Sequence, residues 1–264
     1  MLGAIIGDIV GSPYEDFSDK IVDFELFIPY CKPTDDSIMT IALGCACVNS
    51  DLSDESDFKL KVAEYMRELG NKYPYAGYGG KFYRWLKTPD MGPYGSFGNG
   101  SAMRVSPVAW AANTLEQAET LAMWSAEVTH DHPEGIRGAQ AVAAAVWMAR
   151  TGADKDEIKA YINEKYYKLD FTLDEIREDY RFDVTCQGSV PQALECFFEA
   201  ESYEDAIRLA VSLGGDCDTQ AAMAGAVAEA FFGIPDDLAE EGLSFLDDTL
   251  SGYYFEYSEQ LYGN

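Results

Sequence analysis

The chain has 264 residues, 47% of them hydrophobic and 25% charged, which is the composition of a globular protein with a sizeable core rather than of a disordered chain. Its formal net charge of −27 argues against non-specific binding of nucleic acid, but it permits a small anionic ligand if a local cation offsets the field. The apolar N-terminus lacks a basic segment and no apolar run reaches the ~18 residues of a membrane span, so we expect a cytoplasmic protein without membrane association.

The first 27 residues contain two irregular patterns. The stretch GDIVGSPYE, residues 7–15, places Asp8 and Glu15 among glycines and a proline, and we interpret it as a turn. The stretch IVDFELF, residues 21–27, alternates apolar and polar side chains as a strand does, although an extended loop fits it equally well. Because one strand cannot form a sheet, neither pattern predicts β architecture.

The rest of the chain predicts helices. Apolar residues recur at helical spacing in residues 53–70, 113–128, 138–152, 202–215 and 220–233. We expect the first of these helices to stop at Gly70, and the second to begin with a capping box formed by Thr114 and Gln117. The last consists mostly of small residues, which predicts a helix packed closely on several neighbours in the core.

Two glycine-rich stretches, residues 77–82 and 92–102, are interpreted as loops within a domain, because helices with apolar faces lie on both sides. The sequence has no internal repeat and no clear domain boundary. We therefore predict an all-α fold and a single domain over residues 1–264. Its oligomeric state stays open.

Acidic residues precede two of the predicted helices. TDDS occupies residues 34–37, and DCDT occupies residues 216–219 after two glycines that permit a tight turn. Helix caps would explain one acidic or hydroxyl residue at each place. Carboxylate and hydroxyl oxygens are also hard ligands for Mg²⁺, Mn²⁺ or Ca²⁺, and four carboxylates can hold two divalent ions. The spacing alone leaves both interpretations open.

Two further loops are candidates for ligand contact. YGSFGNGSAMR, residues 94–104, can present successive backbone N–H groups to a phosphate, with Arg104 as a nearby positive charge. THDHPEG, residues 129–135, contains both histidines of the chain, and a structural role for them is the alternative. With two histidines and six cysteines that form no CxxC pair, a zinc site is improbable, and we expect small buried thiols.

Taken together, the motifs GDIVGSPYE, TDDS, GNGSAMR, THDHPEGIRGA and GGDCDTQAAMAGA resemble those of ADP-ribosylglycohydrolases of the dinitrogenase-reductase-activating type. They occur in the family's order, and the resemblance extends from about residue 3 to about residue 235. It implies an all-α fold, two Mg²⁺ or Mn²⁺ ions as cofactors, and hydrolysis of the bond between ADP-ribose and an acceptor. The partner is then ADP-ribose or an ADP-ribosylated substrate.

The resemblance also implies roles for individual residues. The metal ligands matched by motif are Thr34, Asp35, Asp36, Asp216, Asp218 and Thr219. The catalytic group comprises Glu15, Asp35 and Asp218, with Glu15 matching the glutamate that engages the scissile ribose. The residues matched to ADP-ribose binding are Gly98, Asn99, Gly100, Ser101, Met103, His130, His132 and Gly135. Ile136 stands where some relatives carry tyrosine, so the adenine contact and the leaving group stay open.

Two other functions were weighed against this one. A catalytically silent ADP-ribose-binding relative is expected to lose acidic ligands, whereas all four aspartates and Glu15 are present. A phosphatase with the DxDxT-like motif DCDTQ is expected to have a buried strand before the motif, whereas the preceding residues AIRLAVSLGG have helical spacing. The hydrolase is therefore the preferred prediction.

Overall fold

The computed structural model describes residues 1–15 and 20–262 of the chain, and regular structure within these ranges is helical. The α-helices in chain order are α1 (Leu2–Gly11), α2 (Asp35–Val48), α3 (Glu55–Lys72), α4 (Gly80–Lys87), α5 (Ser106–Ala111), α6 (Leu115–Glu127), α7 (Pro133–Arg150), α8 (Lys155–Lys165), α9 (Leu173–Arg177), α10 (Cys186–Glu199), α11 (Tyr203–Ser212), α12 (Cys217–Phe232), α13 (Asp236–Ser244) and α14 (Asp248–Tyr262). A short 3₁₀ turn spans Asn99–Ser101. The predicted all-α fold is confirmed.

Helix α12 lies at the centre of the packing, with α1, α7, α10 and α11 against it. Its residues 217–229 are all buried, as its small side chains predict. None of the described helices has both the length and the apolar character needed to cross a bilayer.

The N-terminal stretch that we interpreted as a turn is helical over residues 7–11 and forms a turn only over residues 12–15. Gly3, Gly7 and Gly11 recur every four residues, so they share one face of α1, and a Cβ on any of them would overlap the backbone of α12. The glycines therefore serve close helix packing rather than a turn. Asp8 belongs to this buried helix, and Glu15 follows in the turn after it.

Of the smaller expectations, the end of α3 and the capping box of α6 meet a different outcome. Residues 21–27 form no strand, and the extended-loop alternative holds, with Phe24 packed on the core. Helix α3 continues past Gly70 to Lys72, because Gly70 is needed where Leu86 packs on the helix. At the start of α6, Thr114 caps the helix as expected.

The capping box predicted there is incomplete. The Thr114 hydroxyl accepts from the backbone N–H of Gln117 at 3.1 Å. The Gln117 side chain, however, accepts from the N–H of Asn113 at 2.8 Å instead of returning to Thr114. All six cysteines are free and buried, which confirms the expectation of buried thiols.

Candidate active site

A cavity of about 570 Å³ opens between the helix N-termini and the glycine-rich loop. Its volume lies within the range of small-molecule sites. At one end are the first turns of α2 and α12, and at the other are the 3₁₀ turn Asn99–Ser101 and His130. The lining includes Glu15, Lys32, Thr34, Asp35, Asp36, Lys81, Phe82, Gly98, Asn99, Gly100, Met103, Arg104, His130, Phe182, Asp216, Asp218 and Thr219.

The first turn of α2 is held by Asp8 of α1. Thr34 is the N-cap of α2, and its hydroxyl donates to Asp8 Oδ1 at 2.6 Å while its N–H donates to Asp8 Oδ2 at 2.8 Å. Ser37 donates to the same Oδ2 through its N–H, at 3.0 Å, and through its hydroxyl. Both oxygens of Asp8 are thus used inside the protein. Its function is to fix the acidic turn of α2.

The first turn of α12 follows two glycines with positive φ. Gly214 and Gly215 have φ of 68° and 75°, a conformation that glycine adopts without strain. Asp216 is the N-cap of α12, yet its side chain makes no capping bond to the helix backbone. Its Oδ2 accepts instead from Asn99 Nδ2 at 2.6 Å. Capping alone therefore does not explain Asp216.

The two acidic turns meet at the floor of the cavity. The Thr219 hydroxyl on α12 donates to Asp36 Oδ2 on α2 at 3.2 Å. Single oxygens of Asp8, Asp36 and Asp218 lie within 4.8 Å of one another, and so do those of Glu15, Asp216 and Asp218. Two carboxylate groups that share Asp218 are therefore brought together from three parts of the chain.

The chemistry of these groups fits hard divalent cations. Asp36 Oδ1 is buried and accepts no hydrogen bond. Across residues 1–15 and 20–262, no lysine or arginine forms an ion pair with Asp36, Asp216 or Asp218. An unpaired buried carboxylate is costly, whereas Mg²⁺ and Mn²⁺ take carboxylate oxygens as ligands.

Burial of these acids, together with their mutual repulsion, raises their pKa values. Burial, aided by Asp8, raises the pKa of Asp35 to about 8. Burial raises the pKa of Asp36 and of Asp218 well above the usual carboxyl value, and neighbouring aspartates add to the effect. Such shifts arise where negative charges are placed together without a cation.

The residues matched to metal binding differ in how they are used. Thr34 donates its hydroxyl proton to Asp8 and Thr219 donates its own to Asp36, which leaves oxygen lone pairs available on each. Asp35 lines the cavity but does not belong to either close group of carboxylates. The exposed Glu15 does belong to one, although it lies far from both acidic motifs in sequence.

The loop end of the cavity is lined by backbone groups and by a positively charged side chain. The loop is fixed by bonds to the segment before α10: Asn99 N–H donates to the Val184 carbonyl at 2.8 Å, and Cys186 N–H to the Phe97 carbonyl at 2.9 Å. Arg104 lies beneath it, 1% exposed, so burial lowers the pKa of its guanidinium to about 10. The nearby positive charge that the sequence suggested is thus a buried side chain that lines the cavity.

Three residues matched to ADP-ribose binding do not line this cavity. The Ser101 hydroxyl donates to the Gly135 carbonyl at 2.7 Å, which ties the 3₁₀ turn to α7. His132 caps α7, accepting from the Glu134 N–H at 3.1 Å, and its ring contacts Phe97. A Cβ on Gly135 would lie 2.6 Å from the Ser96 carbonyl oxygen. All three support the loop from behind.

Sequence reasoning missed two residues of this region. Asp8 was noted only as an acid in a turn, although glycines at residues 3, 7 and 11 already gave a four-residue helical period that places it on a packed face. Thr129 carried no signal, because its contacts with Arg104 and His130 depend on tertiary structure.

The sequence model of the ADP-ribosylglycohydrolase family matches residues 1–256 of the chain. The chain belongs to this family. Among solved structures it resembles an ADP-ribosylglycohydrolase-related protein complex, with a TM-score of 0.64 and 24% identity over 97% of each chain, which shows the shared fold.

Curated relatives align with most of this chain. It is 25% identical to ADP-ribosylhydrolase ARH3 of Homo sapiens, over 89% of the chain and 84% of the relative. It is 26% identical to ADP-ribosylarginine hydrolase Tri1 of Pseudomonas putida, over 89% and 70% respectively. ADP-ribosyl-[dinitrogen reductase] glycohydrolase of Rhodospirillum rubrum is 27% identical, over 81% and 73%. The predicted family is confirmed.

Proposed function

We propose that this chain is a metal-dependent hydrolase that cleaves the glycosidic bond between ADP-ribose and an acceptor, and so reverses ADP-ribosylation. The acceptor is an ADP-ribosylated protein side chain or another ADP-ribosyl conjugate. The chain acts as a single domain over residues 1–264. Its six free, buried cysteines support a reducing, cytoplasmic location.

The observation that carries the proposal is Asp36 Oδ1, a buried carboxylate oxygen that has no hydrogen-bond partner among the described residues and lies in a close group of acids with Asp8 and Asp218. Two divalent ions, Mg²⁺ or Mn²⁺, would satisfy it. The residues proposed to hold them are Thr34, Asp35, Asp36, Asp216, Asp218 and Thr219. Bound there, the ions would supply Lewis-acid polarisation of substrate oxygens and a more acidic water.

The residues of the chain have separate tasks in this reaction. Asp8 holds the acidic turn of α2 in place through Thr34 and Ser37. Glu15, which lines the cavity next to Asp216 and Asp218, exchanges a proton with the attacking water or with the substrate as the anomeric bond breaks. The loop at Gly98–Gly100 receives the ADP half of the ligand. The backbone N–H of Gly100 is its donor, because those of Gly98 and Asn99 already donate to Ser96 Oγ and to the Val184 carbonyl.

A turnover assay with and without metal tests the proposal. Purified protein is freed of metal by exhaustive chelation, its metal content is measured, and it is incubated with ADP-ribosylated arginine, serine and DNA in turn. We expect at least one conjugate to release ADP-ribose on addition of Mg²⁺ or Mn²⁺, and none without them. Full turnover by verified metal-free protein would reject the metal site.

The same assay addresses the catalytically silent alternative. A silent relative binds ADP-ribose but releases none from any conjugate in any metal. Calorimetry with free ADP-ribose separates that case from a protein that does not recognise the ligand. The presence of Glu15 next to Asp216 and Asp218 favours the hydrolase.

A further inference from the structure

A chain of buried polar contacts runs behind the glycine-rich loop. The Arg104 guanidinium donates from Nη2 to the Thr129 hydroxyl oxygen at 2.9 Å. The Thr129 hydroxyl and His130 Nδ1 are 2.7 Å apart. Arg104, Thr129 and His130 are 1%, 0% and 5% exposed, so water does not compete for these bonds.

The direction of the second bond follows from counting protons. Arginine only donates, so the first bond uses one lone pair of the Thr129 oxygen and leaves its own proton to be placed. Among the described residues, that hydroxyl has no second acceptor besides His130 Nδ1. If the imidazole donated instead, the Thr129 proton would be buried without a partner, which costs about 1–3 kcal/mol. Thr129 therefore donates and Nδ1 accepts.

An accepting Nδ1 leaves the ring proton on Nε2, because a neutral imidazole has one donor and one acceptor nitrogen. The surroundings of the ring also disfavour a second proton, which would make the imidazole positively charged. Burial and the neighbouring Arg104 lower the pKa of His130 well below its usual value. Of the other groups around the ring, Tyr94 packs with its ring centroid at 6.0 Å and supplies no counter-charge.

The Nε2 atom faces the cavity beside the loop. A Cβ placed on Gly100 would lie 3.2 Å from it, and one on Gly98 would lie 3.7 Å from it. His130 lines the cavity, and within the described part of the chain Nε2 has no hydrogen-bond partner. An N–H at this place can only meet an acceptor supplied from the cavity.

We propose that Thr129 and Arg104 are positioning residues that hold His130 as a neutral imidazole, with its proton on Nε2, so that it donates a hydrogen bond to an oxygen of the bound ADP-ribose. This inference rests on the proposed function for its ligand. It goes beyond that function by assigning the proton position and the two residues that enforce it. The arrangement selects an acceptor oxygen, whether of a phosphate or of a ribose, and does not depend on pH as a charged histidine would.

The proton position is measured directly by NMR of ¹⁵N-labelled protein without ligand or metal. The chain has two histidines. In a His132→Asn variant, which keeps a side-chain acceptor at the helix cap, the remaining imidazole signals belong to His130. We expect Nδ1 to resonate as an unprotonated nitrogen and Nε2 as a protonated one, from about pH 5.5 to about pH 8. A proton on Nδ1, or on both nitrogens at neutral pH, would overturn the proposal.

Substitution of Thr129 tests the positioning. Thr129→Val removes the hydroxyl at nearly constant volume, and we expect a mixture of tautomers and ADP-ribose dissociation constants raised about 10-fold, with KM rising more than kcat falls. Thr129→Ser, which restores the hydroxyl, is expected to recover both readouts. Thr40→Val is the matched control, because Thr40 is also fully buried but its hydroxyl has no hydrogen-bond partner.

Unaltered tautomer and affinity in folded Thr129→Val would contradict the proposal. If Thr129→Val does not fold, Thr129→Ser and the wild-type spectrum still decide the proton position. If the wild-type protein has the expected tautomer but no affinity for ADP-ribose, the contacts among Arg104, Thr129 and His130 are supported. ADP-ribose is then rejected as the ligand, and the proposed function with it.

Discussion

The two ends of the cavity have opposite electrostatic character. At the α2 and α12 end, Asp36, Asp216 and Asp218 are buried together, and no lysine or arginine of the described ranges forms an ion pair with them. At the loop end, Arg104 is buried and forms no ion pair with a carboxylate of the described ranges. The α2 and α12 end is therefore suited to cations, and the loop end to negative ligand groups.

This difference explains how a protein with a net charge of −27 can bind an anion. A pyrophosphate near the acidic end would be repelled unless divalent ions were bound there, whereas the loop end supplies the backbone N–H of Gly100 and a buried guanidinium. Metal and ADP-ribose binding should then be coupled, and substitutions at the two ends should affect different measurements.

The largest effect is expected at the acidic end from Glu15→Gln, which keeps size and hydrogen bonding but removes the charge. Because a positioned acid–base group typically contributes 10²–10⁴-fold, turnover should fall ~100-fold or more while ADP-ribose affinity survives. The measurement is kcat with metal present. Glu240→Gln, at an exposed glutamate of α13 away from the cavity, is the control. Near-native turnover in the Glu15 variant would show that the reaction does not need the Glu15 carboxylate.

At the loop end, Gly135→Ala should weaken binding rather than chemistry. The added methyl would sit 2.6 Å from the Ser96 carbonyl oxygen and 2.9 Å from the His130 carbonyl oxygen, so the backbone of the loop must shift. We expect ADP-ribose affinity to fall by about 10-fold, a loss of roughly 1.4 kcal/mol. Calorimetry measures it. Gly252→Ala, on helix α14 with open space around it, should bind normally.

A smaller effect is expected in thermal stability. Millimolar Mg²⁺ or Mn²⁺ should raise the Tm of metal-free protein by several degrees, because ions that bind the folded state stabilise it by mass action. Asp218→Asn should respond less, since Asp218 belongs to both carboxylate groups. Asp170→Asn, at an exposed position, should respond as the wild type does. No shift in verified metal-free protein would reject metal binding at the two acidic turns.

The smallest effect concerns pH. The folded-state pKa of Asp35 is raised to about 8, and those of Asp36 and Asp218 are also raised. Since unfolded carboxyls titrate near pH 3.9, the folded metal-free protein binds more protons between about pH 4 and about pH 8, and its stability falls as pH rises through that window.

We therefore expect a higher Tm at about pH 5.5 than at about pH 8 without metal, and a larger Mg²⁺ effect at the higher pH, because ligands must be deprotonated. Differential scanning calorimetry measures both. An Asp35→Asn variant should flatten the metal-free profile. A metal-free Tm that rises over this range would contradict the pKa directions.

Much of the fold was predictable because its signals are local. Helical spacing predicted α3, α6, α7, α11 and α12, and the small residues of α12 predicted its central place. The helix before Asp216 also argues against the phosphatase motif, which requires a strand. By contrast, α1 was misread because glycine signals both turns and close helix contacts, and only the partner backbone decides between them.

The site was predictable to a similar degree. The motifs identify the acidic residues, but not that Asp8 uses both oxygens inside the protein or that Asn99 connects the loop to Asp216. Nor does sequence place Ser101 and His132 behind the cavity wall. These are tertiary relations, and one chain without aligned relatives carries no direct signal for them.

The glycine face of α1 has a consequence for ion selection. Through Asp8 this helix holds the turn of α2, and through Gly11 it rests on the backbone of Asp218, so it sets the distance between the two acidic turns. Mg–oxygen and Ca–oxygen bonds differ by only ~0.3–0.5 Å. A Cβ on Gly7 would lie 2.2 Å from the Ala221 carbonyl oxygen, which is closer than real Cβ contacts by more than this difference, so a single methyl there would move the helices apart by more than it. Residues that touch no ion can therefore determine which ionic radius the protein accepts.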